Sequence, residues 1–259
     1  MIKFYLGFLL LMCMSVTHAQ DYSHYQKKHF IAGNDTLPYR LLLPLKYDPT
    51  KKYPLVFFMH GAGERGSDNE KQLTHGGALF LREDIRKDFP AIVVFPQCPT
   101  NSFWSNVTFE LDTAGKTQFN FLMDNPPTRA MELAQELLYE LLKSYPIEKT
   151  DVYVGGLSMG GMGTFELVGR NPSIFAAAIA ICGGGNPATA TKMNKTSWWI
   201  FHGAKDDVVP PVLSEEMTQA LLNAGAKVKF TLFPDADHNS WDQAFAEPEL
   251  LPWLFAQHR

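Results

Sequence analysis

The 259-residue sequence predicts a doubly wound α/β domain with a mainly parallel sheet and helices on both faces. Three observations carry that prediction. Runs at 54–59, 91–95, 152–155, 177–181, 198–202 and 228–233 are short and apolar on both sides of the pleat, as strands covered on two faces are. Helical patterns fall between several of these runs, so strand and helix alternate along the chain. A glycine-bounded serine, Gly155-Gly156-Leu157-Ser158-Met159-Gly160-Gly161, follows the third run directly and leads into a helical stretch.

The elements follow in order. Lys3 precedes an apolar stretch at 4–16 and then Thr17-His18-Ala19, a pattern that suits a signal peptide over 1–19 cleaved before Gln20. The stretch is too short for a stable transmembrane span. A single catalytic-sized domain over 20–259 is expected, secreted or periplasmic, without stable membrane insertion of the mature chain. Runs at 29–32 and 37–43 read as two strands joined by Gly33-Asn34-Asp35-Thr36. The clearest helix is 129–144, where Met131, Leu133, Ala134, Leu137, Leu138, Leu141 and Leu142 recur at three and four. Shorter helices are expected at 162–168, closed by Gly169-Arg170-Asn171-Pro172, and at 213–224, closed by Gly225.

The connection 99–128 is far longer than the topology requires. Its segments 106–111 and 117–122 alternate polar and apolar residues around a turn, which predicts a β-hairpin insertion and a possible flap. Phe103, Trp104, Phe109, Phe119 and Phe121 suit the wall of an apolar pocket, although a surface excursion without a role reads equally well.

Composition sets the class. Hydrophobic residues at 46% and charged residues at 19% are ordinary for a soluble globular protein. Net charge is −4, or −5 once Lys3 is removed, which argues against nucleic acid as a partner. No group of residues has zinc-ligand spacing, so no metal is expected. Cys98 and Cys182 follow strands about three positions apart, or ~14 Å. A disulfide needs Cα atoms within roughly 7 Å, so two free, mostly buried thiols are expected.

The chemistry begins at Ser158. A sharp strand-to-helix turn between small residues is the setting of a nucleophile elbow. A serine hydroxyl needs a base within hydrogen-bond reach, and the base needs an orienting carboxylate. Two later loops offer them, each after a strand: His202-Gly203-Ala204-Lys205-Asp206-Asp207-Val208-Val209-Pro210, and Asp235-Ala236-Asp237-His238-Asn239-Ser240-Trp241.

Together with His60-Gly61-Ala62-Gly63-Glu64-Arg65-Gly66 and Pro96-Gln97-Cys98-Pro99, these loops resemble the α/β-hydrolase superfamily. The resemblance lies with its phospholipase/carboxylesterase and predicted-peptidase group, close to the feruloyl-esterase and polyester-depolymerase-like branch, and covers about 39–255. It implies Ser158 as nucleophile and His238 as general base. It implies Asp206 as the acid, in the pattern His-Gly-x-x-Asp-x-x-Val-Pro, with Asp207 as the competing choice. Relatives often carry glycine before the histidine, where this chain has Asp237. The oxyanion hole is expected from the backbone N–H groups of Ala62 and Met159. Glu64 and Arg65 are expected to pin that loop, and His60 to support it. His202 reads as structural, His75 as a bland loop histidine. Trp104 and Trp241 are candidate stacking surfaces for a sugar or aromatic acyl group.

The expected activity is that of an exported serine carboxylic ester hydrolase needing no cofactor. Its expected substrates are acyl or feruloyl esters of plant polysaccharide, or small aryl and alkyl esters. A serine peptidase on the same fold is the alternative, and a non-catalytic carbohydrate-binding protein a more distant one.

Overall fold

A computed structural model describes residues 20–113 and 115–259. The segment 1–19, on which the signal-peptide expectation falls, lies outside the described residues. Two N-terminal strands, β1 (Gln26–Ala32) and β2 (Asp35–Leu42), form an antiparallel hairpin. Then come β3 (Tyr53–Met59), two short helices α1 (Gly77–Leu81) and α2 (Glu83–Asp88), and β4 (Ile92–Pro96). Strands β5 (Val107–Leu111) and β6 (Thr117–Phe121) precede α3 (Arg129–Ser144), β7 (Ile147–Leu157) and α4 (Met159–Arg170). The chain ends with β8 (Ala177–Ile181), β9 (Ser197–Gly203), α5 (Val212–Asn223), β10 (Val228–Phe233), α6 (Trp241–Ala246) and α7 (Leu250–Phe255).

Among the described residues the main sheet runs β1-β2-β4-β3-β7-β8-β9-β10. β2 is antiparallel to both neighbours, and every pairing from β4 to β10 is parallel. The pleat explains why the central runs are apolar throughout. In β3, Leu55, Phe57 and Met59 pack into a core shared with α3, α4 and α5. Val56 and Phe58, on the opposite face, join a second core closed by α1, α6 and α7. Helices therefore cover both faces, as the strand pattern predicts.

The differences from the sequence expectation have local causes. β7 starts five residues earlier than its apolar run, because Glu148 to Asp151 lie at a partly exposed, irregular edge. α4 begins at Met159, where three glycines in the first turns hide the helical pattern. α1, α2, α6 and α7 are five or six residues long, too short to show a period. Helix α3 has the bounds its spacing predicts, and Thr128 caps it by accepting a hydrogen bond from the Met131 N–H. Both cysteines are free and buried, at the ends of strands three positions apart in the sheet. Burial pushes the Cys98 thiol up to about 12.

The insertion does form a hairpin, a separate two-stranded sheet of β5 and β6. A row of rings, Phe103, Phe109, Phe119 and Phe121, runs along it with successive centroids 5.6, 5.3 and 6.4 Å apart. Both roots of the insertion are tied to α4. Ser105 Oγ and the Asn106 N–H donate to Glu166 Oε2 at 2.8 and 2.7 Å. Arg170 Nε donates to Glu166 Oε1 at 2.8 Å, and its Nη2 donates to the Asn125 carbonyl at 2.8 Å. The Glu166 side chain is 2% exposed, so Arg170 is the counter-charge of a desolvated carboxylate. Replacing Arg170 by Met is expected to lower unfolding free energy by about 3 kcal/mol in urea titrations, with faster amide exchange in the hairpin. A loss below about 1 kcal/mol would show that the two neutral donors alone suffice for Glu166.

Candidate active site

Ser158 sits between β7 and α4 with φ 53° and ψ −117°, a conformation that costs a non-glycine residue on the order of 1–3 kcal/mol. Two backbone hydrogen bonds fix it: its N–H donates to the Ile181 carbonyl and its carbonyl accepts from the Met162 N–H. The flanking glycines are required by distance. A Cβ on Gly160 would lie 2.0 Å from the Met59 carbonyl oxygen, and one on Gly156 would lie 2.3 Å from that of Gly160.

His238 lies in the loop between β10 and α6. Its Nε2 is 3.0 Å from Ser158 Oγ and its Nδ1 is 2.7 Å from Asp206 Oδ2. The carboxylate sets the tautomer, so Nδ1 carries the hydrogen and Nε2 faces the hydroxyl as an acceptor. Asp206 is buried at the end of β9, and its Oδ1 accepts from the Val208 and Val209 N–H groups, both at 2.9 Å. Oδ2 takes a further hydrogen bond from His202 Nε2 at 3.1 Å. Burial alone would raise this carboxyl; hydrogen bonds from His202, His238 and Val209 outweigh it and hold Asp206 well below the usual carboxylate range. Asp207 is exposed, and so is Asp237, whose Oδ1 accepts from the Asn239 N–H.

The sequence reading leaves His202 as merely structural. Its Nε2 faces two acceptors, Asp206 Oδ2 and the Val209 carbonyl at 2.9 Å, and therefore donates. Its Nδ1 pairs with Ser214 Oγ at 2.7 Å. His202 thus grips the same carboxylate oxygen as His238. The available signal was its place four residues before Asp206 in one tight turn.

Ala62 opens a 3₁₀ turn, Ala62–Glu64, and Met159 opens α4; N–H groups at such positions lack partners within their own helix. The loop carrying Ala62 is braced on several sides. His60 Nδ1 donates to the Gly61 carbonyl at 2.6 Å, while His60 Nε2 accepts from the Cys98 N–H at 2.9 Å. Pinning the Gly61 carbonyl fixes the peptide plane whose other side is the Ala62 N–H. Gln97 Nε2 donates to the Glu64 carbonyl, and the Gly66 N–H donates to the Cys98 carbonyl. Arg65 donates from Nε to the Ala62 carbonyl and from Nη1 to those of Thr100 and Ser102. Arg65 therefore pins the loop by hydrogen bonds, whereas Glu64 turns to His75 instead.

One expectation is corrected. Trp104 is fully buried, edge-on to His60 at 5.5 Å and against Gly163 of α4. A ring with no accessible face is part of the wall, and no ligand can stack on it. Trp241 is only partly buried and stands perpendicular to His238, with centroids 5.5 Å apart. A thiol, carboxylate and imidazole from Cys182, Asp206 and His238 lie within 4.8 Å of one another. The last two are committed to each other, and burial pushes the Cys182 thiol up, so the trio does not suit a metal ion.

A family model described as phospholipase/carboxylesterase matches residues 47–248. Lysophospholipase-like protein 1 of the mouse, Mus musculus, is 24% identical over 200 residues, covering 71% of this chain and 79% of that protein. The crystal structure of a thermostable esterase superimposes with a TM-score of 0.80 at 32% identity, covering 91% of this chain and 64% of that one. This chain thus spans slightly under two thirds of that esterase's length. A CE1 ferulic acid esterase from Anaeromyces mucronatus, in complex with ferulic acid, gives a TM-score of 0.64 at 15% identity over 93% of both chains, a likeness of fold.

The brace at His60 has a pH signature. Burial holds its imidazole down to about 4, although the bond to Gly61 opposes that and nearby Arg65 assists it. The folded state therefore binds fewer protons than the unfolded chain between about pH 6.5 and 4, and stability falls as pH falls through that window. The expected loss is on the order of 3 kcal/mol from this group. Denaturant melts at pH 7 and pH 4.5 should show a smaller difference in His60→Asn than in the native protein; an equal difference would remove His60 from the account.

Proposed function

The chain belongs to the phospholipase/carboxylesterase family of α/β-hydrolases, and we propose that it is an exported serine carboxylic ester hydrolase acting through an acyl-enzyme. One observation carries the reading: a strained serine, an imidazole and a buried carboxylate in one hydrogen-bonded line, Ser158-His238-Asp206. In the proposed reaction Ser158 Oγ attacks the ester carbonyl as His238 Nε2 takes its proton. The developing oxyanion accepts hydrogen bonds from the Ala62 and Met159 N–H groups, each worth roughly 3–4 kcal/mol in the transition state. His238 returns the proton to the leaving alcohol, and water then enters by the same route to release the acid. Asp206 stays ionised throughout and compensates the imidazolium, while His202 holds the same Oδ2 and the Val208 and Val209 N–H groups hold Oδ1.

Acyl or feruloyl esters of plant polysaccharide, or small aryl and alkyl esters, are the proposed substrates. Support comes from the esterase and feruloyl-esterase likenesses of the fold and from the aromatic row of the hairpin, whose Phe121 ring reaches Gly184 beyond Cys182. The N-terminal pattern at 1–19 supports export. A serine peptidase would use the same three residues, since the fold does not fix which bond is cleaved.

Rates on p-nitrophenyl acetate, methyl ferulate and aminoacyl anilides separate these readings, with both esters expected to exceed the anilides. Faster anilide cleavage would sink the ester assignment. Within the site, Ser158→Ala should lose about 10⁵–10⁶-fold in kcat and Asp206→Asn about 10³–10⁴-fold. Asp207→Asn should stay within a few-fold; the reverse order for the two aspartates would reassign the acid.

A further inference from the structure

Beside the nucleophile, on the His238 side, lies a polar group that the hydrolytic steps do not use. Glu64 Oε1 and His75 Nε2 face each other at 3.7 Å, with side chains 13% and 30% exposed. The His75 ring packs on Trp241 at 5.0 Å, and Trp241 in turn stands against His238. Glu64 and the nucleophile flank one glycine: a methyl on Gly61 would sit 3.0 Å from Glu64 Oε2 and 3.7 Å from Ser158 Cβ. The Trp241 indole N–H is buried with no acceptor.

We propose that Glu64, His75 and Trp241 form a subsite for the leaving alcohol that recognises a hydroxyl on its neighbouring carbons, as in a glycerol or sugar ester. The proposal rests on the ester-hydrolase reading above. The position follows from the chemistry: the leaving oxygen must come within reach of His238 Nε2 to be protonated. The rest of the alcohol then extends past the Trp241 and His75 rings. The spacing follows from hydrogen-bond geometry. A separation of 3.7 Å is too long for a direct bond between Glu64 and His75. A hydroxyl oxygen fits between them at about 2.8 Å from each, donating to the carboxylate and accepting from His75 Nε2–H. The Trp241 ring, standing against both His75 and His238, is the wall along which the alcohol extends. An ammonium group would suit Glu64 but would meet the His75 N–H donor, and a plain alkyl chain would leave Glu64 and His75 without partners.

The test compares kcat/KM for glycerol monoacetate and propyl acetate, each corrected for its rate of alkaline hydrolysis. The native protein is measured beside Glu64→Gln, His75→Phe and Trp241→Phe, with a thermal melt for every variant. The native protein is expected to favour the glycerol ester by about tenfold, the equivalent of one net hydrogen bond. The ratio should fall towards one in Glu64→Gln and His75→Phe, and by about threefold in Trp241→Phe, whose smaller ring holds His75 less closely. A merely structural role lowers both rates together, so an unchanged ratio in the variants overturns the subsite, as does a ratio of one in the native protein. Should Glu64→Gln fail to fold, the two ring-preserving variants decide. A native protein that cleaves neither ester overturns the ester-hydrolase reading itself.

Discussion

The close approach of three backbones at the elbow is the constraint on which the rest of the structure depends. The end of β3, the end of β7 and the first turn of α4 meet where a single methyl on Gly160 would lie 2.0 Å from the Met59 carbonyl. That approach sets the direction of α4 and holds Ser158 at positive φ. It also brings the loop after β3, with Ala62, against the serine. Sheet and helix packing on both faces over-determine the turn, which is how a strained residue persists. The local cost at Ser158 is offset by burial distributed over two cores.

The second determinant is how the site handles charge. Asp206 is a buried anion supplied with four donors, two backbone N–H groups and two imidazoles. A carboxylate so saturated does not take the proton from His238; it fixes the ring and would favour the imidazolium of the proposed reaction. His60 is the opposite case, an imidazole kept neutral by burial so that one nitrogen donates while the other accepts. Two histidines within one site are therefore held to different tasks by their surroundings, the proposed proton transfer for His238 and a fixed pair of hydrogen bonds for His60.

Legibility in the sequence followed the range of the interactions. The central strands and α3 could be read because each buries a face over many residues, leaving a period. The elbow, the His238 loop and the Asp206 loop could be read because tight turns at strand ends demand particular residues. The short helices α1, α2, α6 and α7 carry one turn or so and no period. Residues whose partners are distant in the chain were unreadable: Glu166 bonding to Ser105 and Asn106, or His75 lying between Glu64 and Trp241. Trp104 misled for a related reason. Its position in a long insertion suggests exposure, yet the insertion starts by plugging the gap beside His60 and α4 before it turns outward.

The two sides of the site are therefore built by different means, and that difference bears on how specificity can change. The groups to which the proposed reaction gives proton transfer and charge stabilisation stand at strand ends and on backbone N–H groups, where each is held by several bonds. The hairpin rings and the Glu64, His75 and Trp241 group are side chains of the separate β5–β6 sheet, of loops and of a short helix. A substitution among them leaves the elbow's backbone contacts intact, because none of those contacts involves their side chains. On the proposed ester-hydrolase reading the same turn can serve different alcohols and acids, provided Gly156, Gly160 and the donors to Asp206 are kept. Arg65 is where the two systems join, since its guanidinium bonds the Ala62 carbonyl while lying 5.9 Å over the Phe103 ring that begins the aromatic row.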